Sequence, residues 1–154
     1  MEVMKHSFKN YIGYWLSRLR TEVHTAFEQK IEGYKVTVPQ WNVLLALFNK
    51  EGESVGELAR FTEVDKGFIS RLVDQLVRKK LVVRKKGADR RSGALELTQR
   101  AKELVPLLIQ CAETNEKEFF GSLTKKEEDL LRDIFSKLLN NAGIHHLKGW
   151  FKDV

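Results

Sequence analysis

Apolar residues recur at helical spacing from the start of the chain: Phe8, Tyr11, Ile12, Trp15, Leu16, Leu19, Val23, Phe27 and Ile31. Steps of three and four place them on one face of an amphipathic helix over about 7–32. Such a helix has roughly seven turns. That length exceeds what a small core needs on one side, so part of the stripe is expected to face another chain. Gly33 closes the segment. Thr37-Val38-Pro39-Gln40 then reads as a capping box with proline in the first turn, where no amide partner is lost. Trp41, Val43, Leu44, Leu45, Leu47 and Phe48 fill a short, strongly buried helix that ends near Asn49.

A second box, Ser54-Val55-Gly56-Glu57, opens a helix of one to two turns carrying Val55, Leu58, Ala59 and Phe61. Asp65 then caps a helix with Ile69, Leu72, Val73 and Leu76 on one side. Its other side shows Lys66, Gly67, Ser70, Arg71, Asp74 and Gln75. Two short helices across a tight polar connection, Thr62 to Val64, form a helix-turn-helix. The period then changes. Leu81 to Lys86 and Ala94 to Leu97 read as two strands around a seven-residue turn, Gly87 to Gly93, so a hairpin follows the helix-turn-helix as a wing. Thr98 caps a helix reaching about Phe120, with Pro106 inside it removing one hydrogen bond or kinking it. Thr124-Lys125-Lys126-Glu127 is a third box, and Leu130, Leu131, Ile134, Phe135, Leu138 and Leu139 carry a last helix to about Asn140. The tail from Gly143 keeps Ile144, Leu147, Trp150 and Phe151, enough for one or two more amphipathic turns.

The fold class is therefore mainly α with a small β-hairpin wing. The whole chain, 1–154, is expected to be a single domain. Its helices at about 7–32 and 99–141 flank a winged helix-turn-helix at about 37–98.

Charge sharpens this picture. The 154 residues carry a net charge of +6, and the stretch 66–91 holds ten of the 27 basic residues but two of the 21 acidic ones. The positive field thus belongs to the second helix of the helix-turn-helix and to the wing, and it suits a polyanion. A helix fits the major groove, where arginine pairs with guanine and glutamine with adenine. Lys66, Ser70, Arg71 and Gln75 are the candidate contacts, and Gly67 allows close backbone approach to a phosphate. Phe68 suits either a packed position or a thymine methyl. Ser54, at the start of the preceding helix, joins the candidate set. Arg90 and Arg91 at the hairpin tip suit a narrow minor groove, with Asp89 holding a neighbouring guanidinium. The cluster Arg78-Lys79-Lys80 suits both a helix C-terminus and phosphate attraction.

These residues resemble the multiple-antibiotic-resistance regulator (MarR) family of winged-helix transcription factors over about 8–140. The family's wing signature stands complete as Asp89, Arg91, Leu97 and Thr98. VTVPQWNVLLALFNKEGESVGELA, from Val36 to Ala59, resembles its second and third helices. KGFISRLVDQLVRKKL, from Lys66 to Leu81, resembles its recognition helix. The resemblance implies a homodimer joined through the first and last helices. It implies a ligand-responsive repressor on a pseudo-palindromic double-stranded DNA operator, with Arg91 as the minor-groove arginine and Asp89 as its orienting partner. It also implies a small aromatic or phenolic effector. Tyr11, Trp15 and Trp41 are the aromatic candidates for that site and Arg18 the anion partner; plain core packing is the alternative for the aromatics.

Other chemistries find little support. No GxGxxG, P-loop, HExxH or GxSxG motif occurs, so no enzyme is expected. His6, His24, His145 and His146 are scattered, and neither a metal nor another cofactor is implied. The single cysteine, Cys111, excludes a disulfide framework, fits the cytoplasm and reads as a small packing residue. No secretory h-region or membrane-length apolar run appears. A protein-binding winged helix is a rival, but it would lack the exposed Arg and Lys of this face. A sequence-indifferent DNA binder is another, and Ser70, Arg71 and Gln75 argue against it.

Overall fold

The computed structural model describes residues 7–85 and 93–144. The chain divides into two compact units, and the division falls between Asn115 and Glu116.

The first unit opens with a 3-10 turn, Phe8–Asn10, followed by α1 (Ile12–Glu32), α2 (Val38–Phe48), α3 (Val55–Thr62) and α4 (Lys66–Arg78). The hairpin β1 (Val82–Lys85) and β2 (Ala94–Leu97) comes next, and then most of α5 (Gln99–Phe120). The strands are antiparallel, with Val82 opposite Leu97 and Lys85 opposite Ala94. The expected long first helix is interrupted at its start. Ser7 accepts a hydrogen bond from the Lys9 amide, and Tyr11 is extended (φ −98°, ψ 131°) with no side-chain cap for α1. With no capping side chain, the helix begins only at Ile12. The 3-10 turn is tied on by Trp15, whose indole N–H donates to the Lys9 carbonyl at 2.8 Å.

Only the lower half of the α1 stripe is buried, at Phe27 and Ile31. Both join one core with Val43, Leu44, Leu58, Ile69, Val73, Leu76, Val82, Leu95, Ala101, Val105 and Leu108. The upper half is uncovered: Ile12 is 82% exposed and Trp15 56%. The turn after α1 uses Lys35 as its left-handed residue (φ 57°), whereas Gly33 stays in the right-handed region. Both partners of the Thr37–Gln40 box are in place. Thr98 caps α5 by accepting from the Ala101 amide at 3.2 Å, and α5 runs through Pro106 without a break. Asn115 is buried, and its amide is satisfied by the Val23 carbonyl and by Lys30. The Cys111 thiol is half-buried and donates to the Lys30 carbonyl, which suits a packing residue.

The second unit holds the last turn of α5 and then α6 (Lys125–Asn141). Gly121 closes α5 because a Cβ there would clash with the Lys117 carbonyl. The Thr124–Glu127 box opens α6, with both reciprocal bonds present. No α6 residue is buried, and Leu130, Ile134 and Leu138 form an exposed stripe at i, i+4, i+8. The tail beyond residue 144 lies outside the described residues.

The box makes acid stability a testable property. Hydrogen bonds from the Thr124 amide and then its hydroxyl hold the Glu127 carboxyl below its ordinary 4.5. A lowered folded-state pKa means stabilisation present above the unfolded value and lost as pH falls through the folded one. Glu127→Gln is therefore expected to reduce the pH dependence of α6 helicity below about pH 4.5 while leaving that near pH 7 flat. Circular dichroism during acid titration checks this; an unchanged acid limb would count against the box as its source.

Candidate nucleic-acid interface

The second helix of the helix-turn-helix is seated by four buried side chains, Ile69, Leu72, Val73 and Leu76, which repeat at helical spacing. That stripe fixes which face points outward. Lys66, Gly67, Phe68, Arg71 and Asp74 are exposed there, and Ser70 is half-buried. The connection from α3 is closed by Glu63 in the left-handed region (φ 55°), with the Val64 amide donating back to the Ala59 carbonyl at 3.1 Å. Asp65 caps α4, its carboxylate accepting from the Phe68 amide at 2.9 Å. One N-terminal donor that would otherwise attract a phosphate is thereby taken.

The preceding helix is set equally firmly. Ser54 accepts from the Glu57 amide at 3.2 Å. The Glu57 carboxylate accepts at 2.7 Å from the Glu53 amide, one residue earlier than a reciprocal box requires. That bond, first among several, lowers the Glu57 pKa. Gly52 lies buried against this turn, where a Cβ would press on the Leu58 amide nitrogen at 3.1 Å.

The hairpin is bonded to the same scaffold. The Leu95 amide donates to Glu53 O at 2.8 Å and the Thr98 amide to Leu81 O at 3.0 Å. The Thr98 hydroxyl donates to Lys80 O at 2.9 Å. Leu97 is buried and Thr98 ties the hairpin base to the end of α4, which gives a physical reason for these two residue types in the wing signature. Asp89, Arg90 and Arg91 lie outside the described residues.

The basic face divides into bonded and unbonded cations. Arg84 pairs with Asp74 at 2.7 Å and Lys85 with Glu96 at 2.7 Å. No ion pair joins Lys66, Arg71 or Arg78 to a carboxylate among the described residues. Arg71 lies over the Phe68 ring, 5.8 Å from its centroid.

Lys79 and Gln75 take parts that the sequence pattern did not suggest. The buried Gln40 donates from its amide nitrogen to Gln75 Oε1 at 2.7 Å. Its own Oε1 accepts from Lys79 Nζ at 2.7 Å, and Nζ also donates to the Lys35 carbonyl at 2.7 Å. The Gln75 oxygen is thus committed inside the fold, and Lys79 holds the turn between α1 and α2. A glutamine at the third position of a capping box, in a helix whose only other polar residue is Asn42, was the available signal. Its partners stand 35 and 39 residues away.

The four candidate effector residues do not surround one cavity. Trp41 is buried against Phe27, edge to face at 6.1 Å. Trp15 sits twelve residues before Phe27 on the same helix, about 18 Å along its axis. Tyr11 and Trp15 are exposed, and Arg18 pairs with Glu22 at 3.1 Å. A groove of about 520 Å³ does open along α1 and the following turn, lined by Thr25, Glu28, Gln29, Glu32 and residues 35–38. It contains none of the four, and its two glutamates oppose a phenolate. Among the described residues no three His, Cys, Asp or Glu side chains gather as a metal site. No helix among them is long and apolar enough to cross a membrane.

Residues 34–92 match the sequence model of the MarR family. Comparison with curated proteins yields no significant match. Among solved structures the chain is similar to BpsR of Bordetella bronchiseptica, whose DNA binding is regulated by 6-hydroxynicotinic acid. Identity is 25% and the TM-score 0.76, covering 88% of this chain and 98% of that one. It is similar to a MarR transcriptional regulator from Methanosarcina mazei Go1 at 26% identity and TM-score 0.72, over 88% and 99% of the two chains. MepR of S. aureus, solved in complex with DNA, shares the fold at TM-score 0.79 and 23% identity, over 85% and 98%.

Proposed function

We propose that the chain is a winged-helix, DNA-binding transcription regulator of the MarR type, whose family model matches residues 34–92, and that it is a cytoplasmic, sequence-specific repressor. It binds a pseudo-palindromic operator as a homodimer, acts by binding rather than by catalysis, and is released by a small aromatic or phenolic effector. The observation that carries the DNA reading is the outward face of α4. There Lys66 and Arg71 stand exposed with no carboxylate partner among the described residues, on a helix anchored by four buried side chains. A rigidly seated basic helix projecting from its scaffold is what the major groove accepts.

Lys66, Ser70 and Arg71 are assigned to base edges and phosphates, and Gly67 to close backbone approach. Ser54 is assigned to a phosphate through its hydroxyl hydrogen, since its oxygen already serves as a cap. Arg90 and Arg91 are assigned to the minor groove, with Asp89 orienting Arg91. Gln75 keeps its amide N–H groups for DNA, because only its oxygen is bonded to Gln40. The exposed apolar stripes of α1 and of α6 support a dimer, each by itself. A two-fold dimer would place its recognition helices about one DNA turn apart, roughly 34 Å. An effector would release DNA by favouring a dimer geometry with a different spacing. The effector proposal draws on BpsR and on the exposed Tyr11, Trp15 and Arg18; Trp41 is read as core.

The test is a titration of the protein against DNA from upstream of its own gene and against the same sequence scrambled, at two salt concentrations. A preference of ~10³-fold or more for the upstream DNA is expected. Equal, steeply salt-dependent binding to both would leave phosphate contacts alone and sink the sequence-specific reading.

A further inference from the structure

We propose that Phe68 and Arg71 read DNA as one unit: the guanidinium takes a guanine, and the Phe68 ring packs on the methyl of a thymine in the neighbouring base pair. The proposal rests on the DNA-binding reading above and adds to it a base step. Phe68 is a large apolar side chain in the first turn of α4, yet it is 37% exposed. It does not belong to the core stripe of that helix, which is Ile69, Leu72, Val73 and Leu76. Its backbone is fixed by the Asp65 cap, so the ring has a defined origin.

Arg71 follows one turn later, with its guanidinium carbon 5.8 Å from the ring centroid. A Cβ built on Gly67 would lie 3.9 Å from Arg71 Nη1. The guanidinium therefore folds back over the first turn, above both Gly67 and Phe68. It points toward the end of the helix that leads into a groove. The same Cβ on Gly67 would press on the capping Asp65 Oδ1 at 3.1 Å. A guanidinium held over a ring by a cation–π contact has less freedom to lose on binding than a solvated one, and its N–H groups can donate to O6 and N7 of a guanine. The only apolar group on the major-groove floor is the thymine methyl. An apolar ring exposed beside a guanine-reading arginine therefore matches a thymine next to that guanine.

The experiment selects bound duplexes from a random DNA pool with the full chain, then measures affinities on the selected duplex by fluorescence anisotropy at fixed salt. The selected half-site is expected to contain a guanine with a thymine in the adjacent base pair. Replacing that thymine by deoxyuridine removes only the methyl group, and should weaken the wild-type protein roughly fourfold. Phe68→Ala should bind the two duplexes equally. Phe68→Leu, an apolar residue without a ring, should keep the methyl effect but discriminate less against 7-deazaguanine, which lacks the N7 acceptor. Thermal melts by circular dichroism confirm that the variants are folded. A selected site without the guanine–thymine step, or wild-type binding indifferent to deoxyuridine there, overturns this proposal and leaves DNA recognition standing. A pool that yields no enriched sequence overturns both.

Discussion

Leu76→Ala is expected to destabilise the first unit by about 2–5 kcal/mol, the range for removing a large side chain from a close-packed core. Leu76 is fully buried, with 0% of its surface accessible. It lies on α4 in one core with Val73 of the same helix, Leu44 of α2, Leu58 of α3 and Val82 of β1. Its truncation leaves a void under the helix that carries Lys66 and Arg71. Small domains have roughly 5–15 kcal/mol in all, so the loss is a large fraction of it. Urea unfolding should show a lower midpoint at an unchanged slope. At temperatures where the variant is still folded, its order of preference among DNA sequences should match the wild type, because no base-contacting group changes. A midpoint within experimental error of the wild type would contradict the seating of α4 on this core.

Ile134→Asp is expected to abolish the proposed dimer. Ile134 is 44% exposed on α6, between Leu130 at 58% and Leu138 at 44%. The substitution should therefore leave the fold of the single chain nearly unchanged. In a two-fold assembly built on this stripe, the new carboxylate would be buried without a partner, and twice. An uncompensated buried charge costs roughly 3–5 kcal/mol, so association should weaken by about two decades or more. Operator affinity should fall with it, since a single half-site remains. Lys137→Ala, on an exposed polar position of the same helix, is the control. Sedimentation equilibrium decides the matter: a variant with the same mass as the wild type would remove α6 from the interface.

Much of this fold was legible because each helix carries its own periodic stripe and every helix after α1 its own capping side chain. The α4 stripe and Asp65, the Thr37–Gln40 box and the Thr124–Glu127 box all involve residues three or four apart, which sequence spacing reveals directly. The start of α1 was less legible. Tyr11 is part of the apolar stripe, but it sits in extended backbone at the end of a 3-10 turn, and periodicity alone does not register that. Trp41 was a candidate pocket residue, with core packing the stronger reading. Its burial depends on Phe27, fourteen positions earlier, and on how α1 and α2 cross. Gln40, Gln75 and Lys79 were the hardest to read. Their partners are distant in the chain, and a lysine at a helix C-terminus looks the same whether it faces a phosphate or a carbonyl.

The bridge from Lys35 through Gln40 to Gln75 and Lys79 also governs which sequence changes the protein tolerates. One ammonium satisfies two oxygens, the Lys35 carbonyl and Gln40 Oε1, from a single point. A planar guanidinium cannot reproduce that geometry, so Lys79→Arg is not a conservative exchange. Gln40 donates at one end and accepts at the other. Glutamate in its place would lose the donor toward Gln75, and leucine would strand both partners. Lys35 itself holds a left-handed backbone conformation that most side chains disfavour. The three side chains Gln40, Gln75 and Lys79 are therefore coupled: a change at one leaves a polar atom of another without its partner, although they lie up to 39 residues apart in the chain.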